Sequence, residues 1–134
     1  MSAPFSDITG TTLVAINHES DGDGSAALYF ETSAGVFRMT HHQDCCESVW
    51  IEEVHGNAAE LRDVFVTVAE ESSGERAAEH GDTSTWTFYR LQTPKGDLTI
   101  RWLGESNGYY SESVDFERVE AIGDGATLWA GLGS

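Results

Sequence analysis

The side chains most able to do chemistry lie together in the run Thr40-His41-His42-Gln43-Asp44-Cys45-Cys46-Glu47, which holds both cysteines of the chain and two of its five histidines. Imidazole, thiolate and carboxylate are the ligands that zinc or iron selects, so His41, His42, Asp44, Cys45 and Cys46 form a candidate metal set. Geometry restricts it. On a flat strand, same-face residues two apart lie about 7 Å from one another, too far to share one ion. A turn at Gln43-Asp44 would draw the ligands together, as would a helical turn pairing His41 with Cys45 and His42 with Cys46. His18, His55 or His80 would then complete the shell. No C-x-x-C pair is present, so the cofactor stays unassigned, with zinc or iron as the options. The plainer alternative is a small buried cysteine beside an aspartate-capped turn. A cysteine nucleophile assisted by His41 and Asp44 is a further possibility, but adjacent strand residues face opposite sides. No residue is therefore assigned as catalytic, and enzymatic activity is the least supported reading.

A second set is suited to binding. Trp102, Tyr109 and Tyr110 flank Asn107-Gly108, and Arg90 and Arg101 lie on the preceding strands. Aromatic rings beside arginines can stack on a nucleobase or another planar ligand and hold it. Ordinary packing of aromatics on a half-buried sheet is the competing account. The pairs Glu52-Glu53 and Glu70-Glu71 fit solvated faces better than acid–base dyads.

Strands must position these groups. Residues 11–17 (TTLVAIN) are β-branched and apolar, as a buried strand requires. Residues 18–24 make an acidic turn whose Asp-x-Asp-Gly lacks the later glutamate of a calcium loop. Residues 25–31 place Ala26, Leu28 and Phe30 on one face. A turn at 32–35 then leads into a second alternation over 36–40, giving a hairpin. Residues 48–54 put Val49 and Ile51 on one face. Residues 56–63 favour a helical turn or two, and 64–69 (VFVTVA) form the clearest buried strand. Residues 70–84 are polar and read as a loop.

Two strong strands follow. Trp86, Phe88 and Arg90 oppose Thr87, Tyr89 and Leu91 on the first; after a turn at 94–97, Leu98, Ile100 and Trp102 alternate on the return. Asn107-Gly108 signals a hairpin, and 109–119 the next strand, with Val114, Phe116 and Val119 inward. The sum is a mainly β protein with one or two short helical turns. It is a single-domain antiparallel meander sheet or small sandwich over 1–134, with 1–10 and 121–134 loosely packed.

Charge bounds the partners. The 134 residues carry 23 Asp and Glu against 7 Lys and Arg, a formal net charge of −16, and Lys95 is the sole lysine. Such a chain repels nucleic acid and anionic lipid. High-salt or GC-rich adaptation, a solvated acidic surface, mimicry of nucleic-acid charge toward a basic partner and cation binding in acidic loops would all produce this balance. No apolar run is long enough to cross a membrane, and no basic, apolar leader opens the chain, so a cytoplasmic setting with reduced cysteines is expected.

The run His41-x-Gln43-Asp44-Cys45-Cys46-Glu47-Ser48-Val49 is followed by Ala69-Glu70-Glu71, Thr85-Trp86-Thr87-Phe88-Tyr89, Thr93-x-Lys95-Gly96, Arg101-Trp102 and Ser106-Asn107-Gly108-Tyr109-Tyr110-Ser111-Glu112. In this order, over roughly 36–117, the motifs resemble a family of short uncharacterised proteins of bacteriophages and their bacterial hosts. The resemblance implies a phage or prophage accessory protein and brings no activity or residue roles with it. The expectation is a binding protein that modulates a host factor through a protein interface. A nucleotide-like small-ligand binder using the aromatic hairpin, or a metal-binding protein at the His-Asp-Cys-Cys stretch, is the alternative.

Overall fold

Period-two alternation turns most of the chain into strands, and the computed structural model describes residues 2–20, 26–41, 48–77, 83–106 and 114–129. Among the described residues ten strands run β1 (Thr12–Ser20), β2 (Ala26–Thr32), β3 (Gly35–Thr40), β4 (Ser48–His55), β5 (Val64–Phe65), β6 (Val68–Ala77), β7 (Thr83–Thr93), β8 (Gly96–Ser106), β9 (Asp115–Val119) and β10 (Thr127–Leu128). They form two antiparallel sheets. One is six-stranded in the order β10-β1-β2-β3-β9, with β5 also on β1; the other is four-stranded, in the order β4-β8-β7-β6. The expectation of a mainly β, antiparallel protein is met, in its two-sheet form. The helical turn expected over 56–63 is a single 3-10 turn at Ala58–Glu60, started by the Asn57 side chain accepting from the Ala59 amide.

One apolar cluster draws from both sheets. Leu13, Ile16, Leu28, Phe30 and Met39 face Leu91, Leu98, Ile100 and Trp102 within it. Removing these side chains from water is the main favourable term in folding, about 25 cal/mol per Å² of apolar area.

The two closest hairpins share one turn. In β2–β3, Thr32 Oγ1 donates to the Gly35 carbonyl at 2.8 Å and accepts from the Ala34 amide at 3.1 Å. In β7–β8, Thr93 Oγ1 donates to the Gly96 carbonyl at 2.8 Å and accepts from the Lys95 amide at 3.2 Å. Gly35 and Gly96 stand at φ +125° and +139°, backbone that a Cβ disfavours. The Thr-x-x-Gly spacing therefore fixes both turns and both registers.

Four expectations are corrected. First, the apolar run at 64–69 is not one strand. Its first half pairs with β1 in the six-stranded sheet and its second half begins β6 in the other, so the run is apolar because it crosses the core between sheets. Second, 70–84 is not a loop as far as it is described. Residues 70–77 continue β6, and 83–84 open β7, in unbroken register from Val68↔Gln92 to Ala77↔Thr83. Side chains from Glu70 to Gly74 are exposed on both faces of β6, which erases the alternation that betrays a strand.

Third, residues 2–10 are not loose as far as they are described. A 3-10 turn at Phe5–Ile8 buries Phe5 and Ile8 to 2% and 0% exposure. The Phe5 ring meets Phe30, Tyr89 and Phe116 edge-on at 5.0–5.7 Å, an arrangement that the ring quadrupoles favour. Fourth, Phe116 points inward on β9, but Val119, three residues on, has the opposite parity and shares the outer face with Glu117.

Candidate binding face

The outer face of the four-stranded sheet gathers the outward residues of β4, β8 and β7. Cross-strand register aligns Trp50, Leu103 and Trp86 in one row, Glu53, Arg101 and Phe88 in the next, and Thr99 and Arg90 beyond. Trp50, Trp86 and Leu103 are part-exposed, and Phe88 is 36% exposed. Arg101 sits at the middle of this surface. Its guanidinium lies 5.7 Å from the centre of the Trp86 ring and 5.6 Å from that of Phe88, within cation–π range.

A bulge in β4 supplies the counter-charge. Register shifts between Ile51 and Glu53, which lets two consecutive glutamates reach one arginine. Arg101 Nη2 lies 3.2 Å from a Glu52 carboxylate oxygen, and Nη1 lies 3.4 Å from one of Glu53. Glu53 also meets His55 Nε2 at 2.9 Å. Two donors remain unused: Arg101 Nε and Trp86 Nε1 are buried and have no hydrogen-bond partner among the described residues. Beside Phe88 an open cleft of about 390 Å³ is lined by Glu70, Glu71, Ser72, Phe88, Arg90 and Thr99, with Arg90 Nη1 3.1 Å from Glu70.

Of the sequence-derived ligand set, Arg90 and Arg101 do share this face. Trp102 does not: it alternates inward with Leu98 and Ile100, is 1% exposed, and donates from Nε1 to Met39 Sδ at 3.2 Å. Asn107, Gly108, Tyr109 and Tyr110 lie outside the described residues, and with them the Asn-Gly hairpin. Of the metal set, His41 directly follows β3 and is 8% exposed; His42, Asp44, Cys45 and Cys46 lie outside the described residues, as does His80. Among the described residues no group of three or more His, Cys, Asp or Glu could hold a metal ion.

Sequence reasoning passed over Trp50, Trp86, Phe88, Glu52 and Glu53 as site residues. The signal for the aromatics was present, since Phe88 and Trp86 alternate with buried Thr87 and Tyr89. Nothing local reveals the glutamates' role. A bulge is needed to turn adjacent residues, which a regular strand sends to opposite faces, toward one side chain.

The fold and this face define a small two-sheet β protein with an aromatic and arginine-bearing outer surface. The chain belongs to the family described as a domain of unknown function, DUF7448, whose model matches residues 6–116. Neither the curated proteins nor the solved structures contain a match to it.

Proposed function

We propose that this protein acts by binding, as a phage-type accessory protein that engages a host protein in the host cytoplasm through the outer face of its four-stranded sheet. The observation that carries the reading is the part-exposed group of Trp50, Trp86, Leu103 and Phe88 around Arg101. Trp, Phe and Arg are the residue types that concentrate at the energetic centres of protein interfaces. The net charge of −16 steers the protein toward a basic partner and away from nucleic acid.

The test is retention of a defined host protein on the immobilised chain, compared with Trp50→Ala and Phe88→Ala forms that keep the wild-type melting profile. Loss of that protein with both substitutions supports the reading. Equal retention by all three forms overturns it. The cleft beside Phe88 and Arg90 favours a second reading, a planar small ligand. A nucleotide-like species released on denaturing the purified protein would establish that one instead.

A further inference from the structure

A β-sheet has two edges, and unpaired edge backbone is a template for another strand. Among the described residues three of the four edges are closed or broken. The β1 edge is covered by β5 at Thr12 and Leu13 and by β10 at Asn17 and His18. The β9 edge takes a bridge from Ser2 to Glu117 and a bond from the Ala3 amide to the Phe116 carbonyl at 2.9 Å. The β4 edge is interrupted by the bulge at Glu52.

The fourth edge is different. β6 runs for 10 residues in continuous register with β7, without a bulge, and the Phe5–Ile8 turn packs against it. No backbone hydrogen bond from its other side to a described residue is present. Its side chains from Glu70 to Gly74 are exposed, and a Cβ built on Gly74 would meet nothing within 4 Å. The cleft lined by Glu70, Glu71, Ser72, Phe88, Arg90 and Thr99 opens beside this same strand, with Arg90 paired to Glu70.

We propose that β6 is a receiving edge for strand addition by an extended segment of a partner protein that carries Lys or Arg at alternate positions. Backbone pairing supplies affinity in this mode, and side chains on one face of the added strand supply selectivity. Alternate residues of a strand recur about every 7 Å on one face. A basic side chain next to Glu70 therefore meets a carboxylate that it shares with Arg90, on a chain whose net charge of −16 favours a cation. A second copy of the chain is the poorer occupant. Two copies bring −16 against −16, and β6 on β6 antiparallel about Ser73 sets Glu71 opposite Glu75.

This proposal rests on the protein-binding reading above, and the two can fail separately. The probe is a fluorescent peptide of alternating lysine and valine, together with a form of it N-methylated at every second residue to block one hydrogen-bonding edge. The unmodified peptide is expected to bind, to slow amide exchange along β6, and to lose about tenfold in affinity on N-methylation. Glu70→Gln is expected to weaken it severalfold without unfolding the protein, because Glu70 is exposed. Equal binding of both peptides would mean that charge alone attracts them, and overturns the proposal. So does absence of binding, or a dimer whose β6 amides are protected before peptide is added. If N-methylation makes no difference but Phe88→Ala still releases the host protein, the edge is wrong and the outer face stands. The opposite pattern leaves the edge standing and removes the face.

Discussion

The indole Nε1 of Trp102 donates to the Sδ of Met39 at 3.2 Å, joining the four-stranded sheet to the six-stranded one through two side chains that are 1% and 0% exposed. The bond explains how an indole N–H is tolerated in an apolar core, and it ties Trp102 to packing rather than to a ligand.

Met39→Leu nearly conserves volume but removes the acceptor. We expect it to lower unfolding free energy by about 1–2 kcal/mol, above the small cost of an isosteric core exchange, because a buried donor is left unpaired. Urea denaturation at constant slope measures this, and an unchanged midpoint would show that the sulfur contributes nothing as an acceptor.

The matched turns make a paired prediction. Thr32→Val and Thr93→Val each keep the side chain's shape and delete one donor and one acceptor contact. Each is expected to cost about 1–2 kcal/mol, and the double variant the sum to within about 0.5 kcal/mol, since the turns share no partner. Strong non-additivity in denaturant melts would mean that the hairpins are coupled.

Burial raises the Tyr89 hydroxyl well above the ordinary tyrosine range, with the nearby Glu71 and Asp115 carboxylates adding to the effect. The folded protein therefore holds this proton more tightly than the unfolded chain. The stabilisation is complete below the unfolded pKa of about 10 and is lost as pH climbs from there toward the folded value. Stability should fall with rising pH in that window, and Tyr89→Phe should flatten the fall. A slope identical in the two proteins would assign the alkaline loss to other groups.

Arg38 pairs with Glu117, Arg90 with Glu70, and Arg101 with Glu52 and Glu53, so a few cations are consumed while 23 carboxylates face only 7 Lys and Arg. Screening should then raise the melting temperature as sodium chloride increases, because the Debye length contracts from about 10 Å at 0.1 M to about 3 Å at 1 M. A flat or falling series would point to a specifically bound cation or to charges already compensated.

What could be read in advance followed the periodicity of burial. Leu98, Ile100 and Trp102 alternate because one face of β8 meets the core, and the same parity sets Arg101 and Leu103 outward. The turns read at 32–35 and 94–97 fall on the hairpins that pair Thr32 with Gly35 and Thr93 with Gly96. The misreadings occur where one environment does not last long enough to set a period. Val64, Val66 and Ala69 are all buried, yet they span two sheets. Glu70 to Gly74 are exposed on both faces, so β6 mimics a loop. Phe5 and Ile8 occupy a 3-10 turn of 4 residues, too short to show a pattern. Placing Trp102 among ligand residues contradicted its own alternation with Ile100, and the alternation was right.

The bulge at Glu52 also bears on how many molecules could string together. A sheet with a straight, open strand at both margins can be extended head to tail by copies of itself, and such addition has no closing point; it grows as a fibre. In this sheet the β4 margin is kinked where Glu52 is inserted, while the β6 margin is straight. The two sides are not equivalent, so growth that starts on one cannot be continued from the other. Deleting Glu52 would straighten β4 and remove that asymmetry. One extra residue in one strand thus works against growth of this sheet from the β4 side.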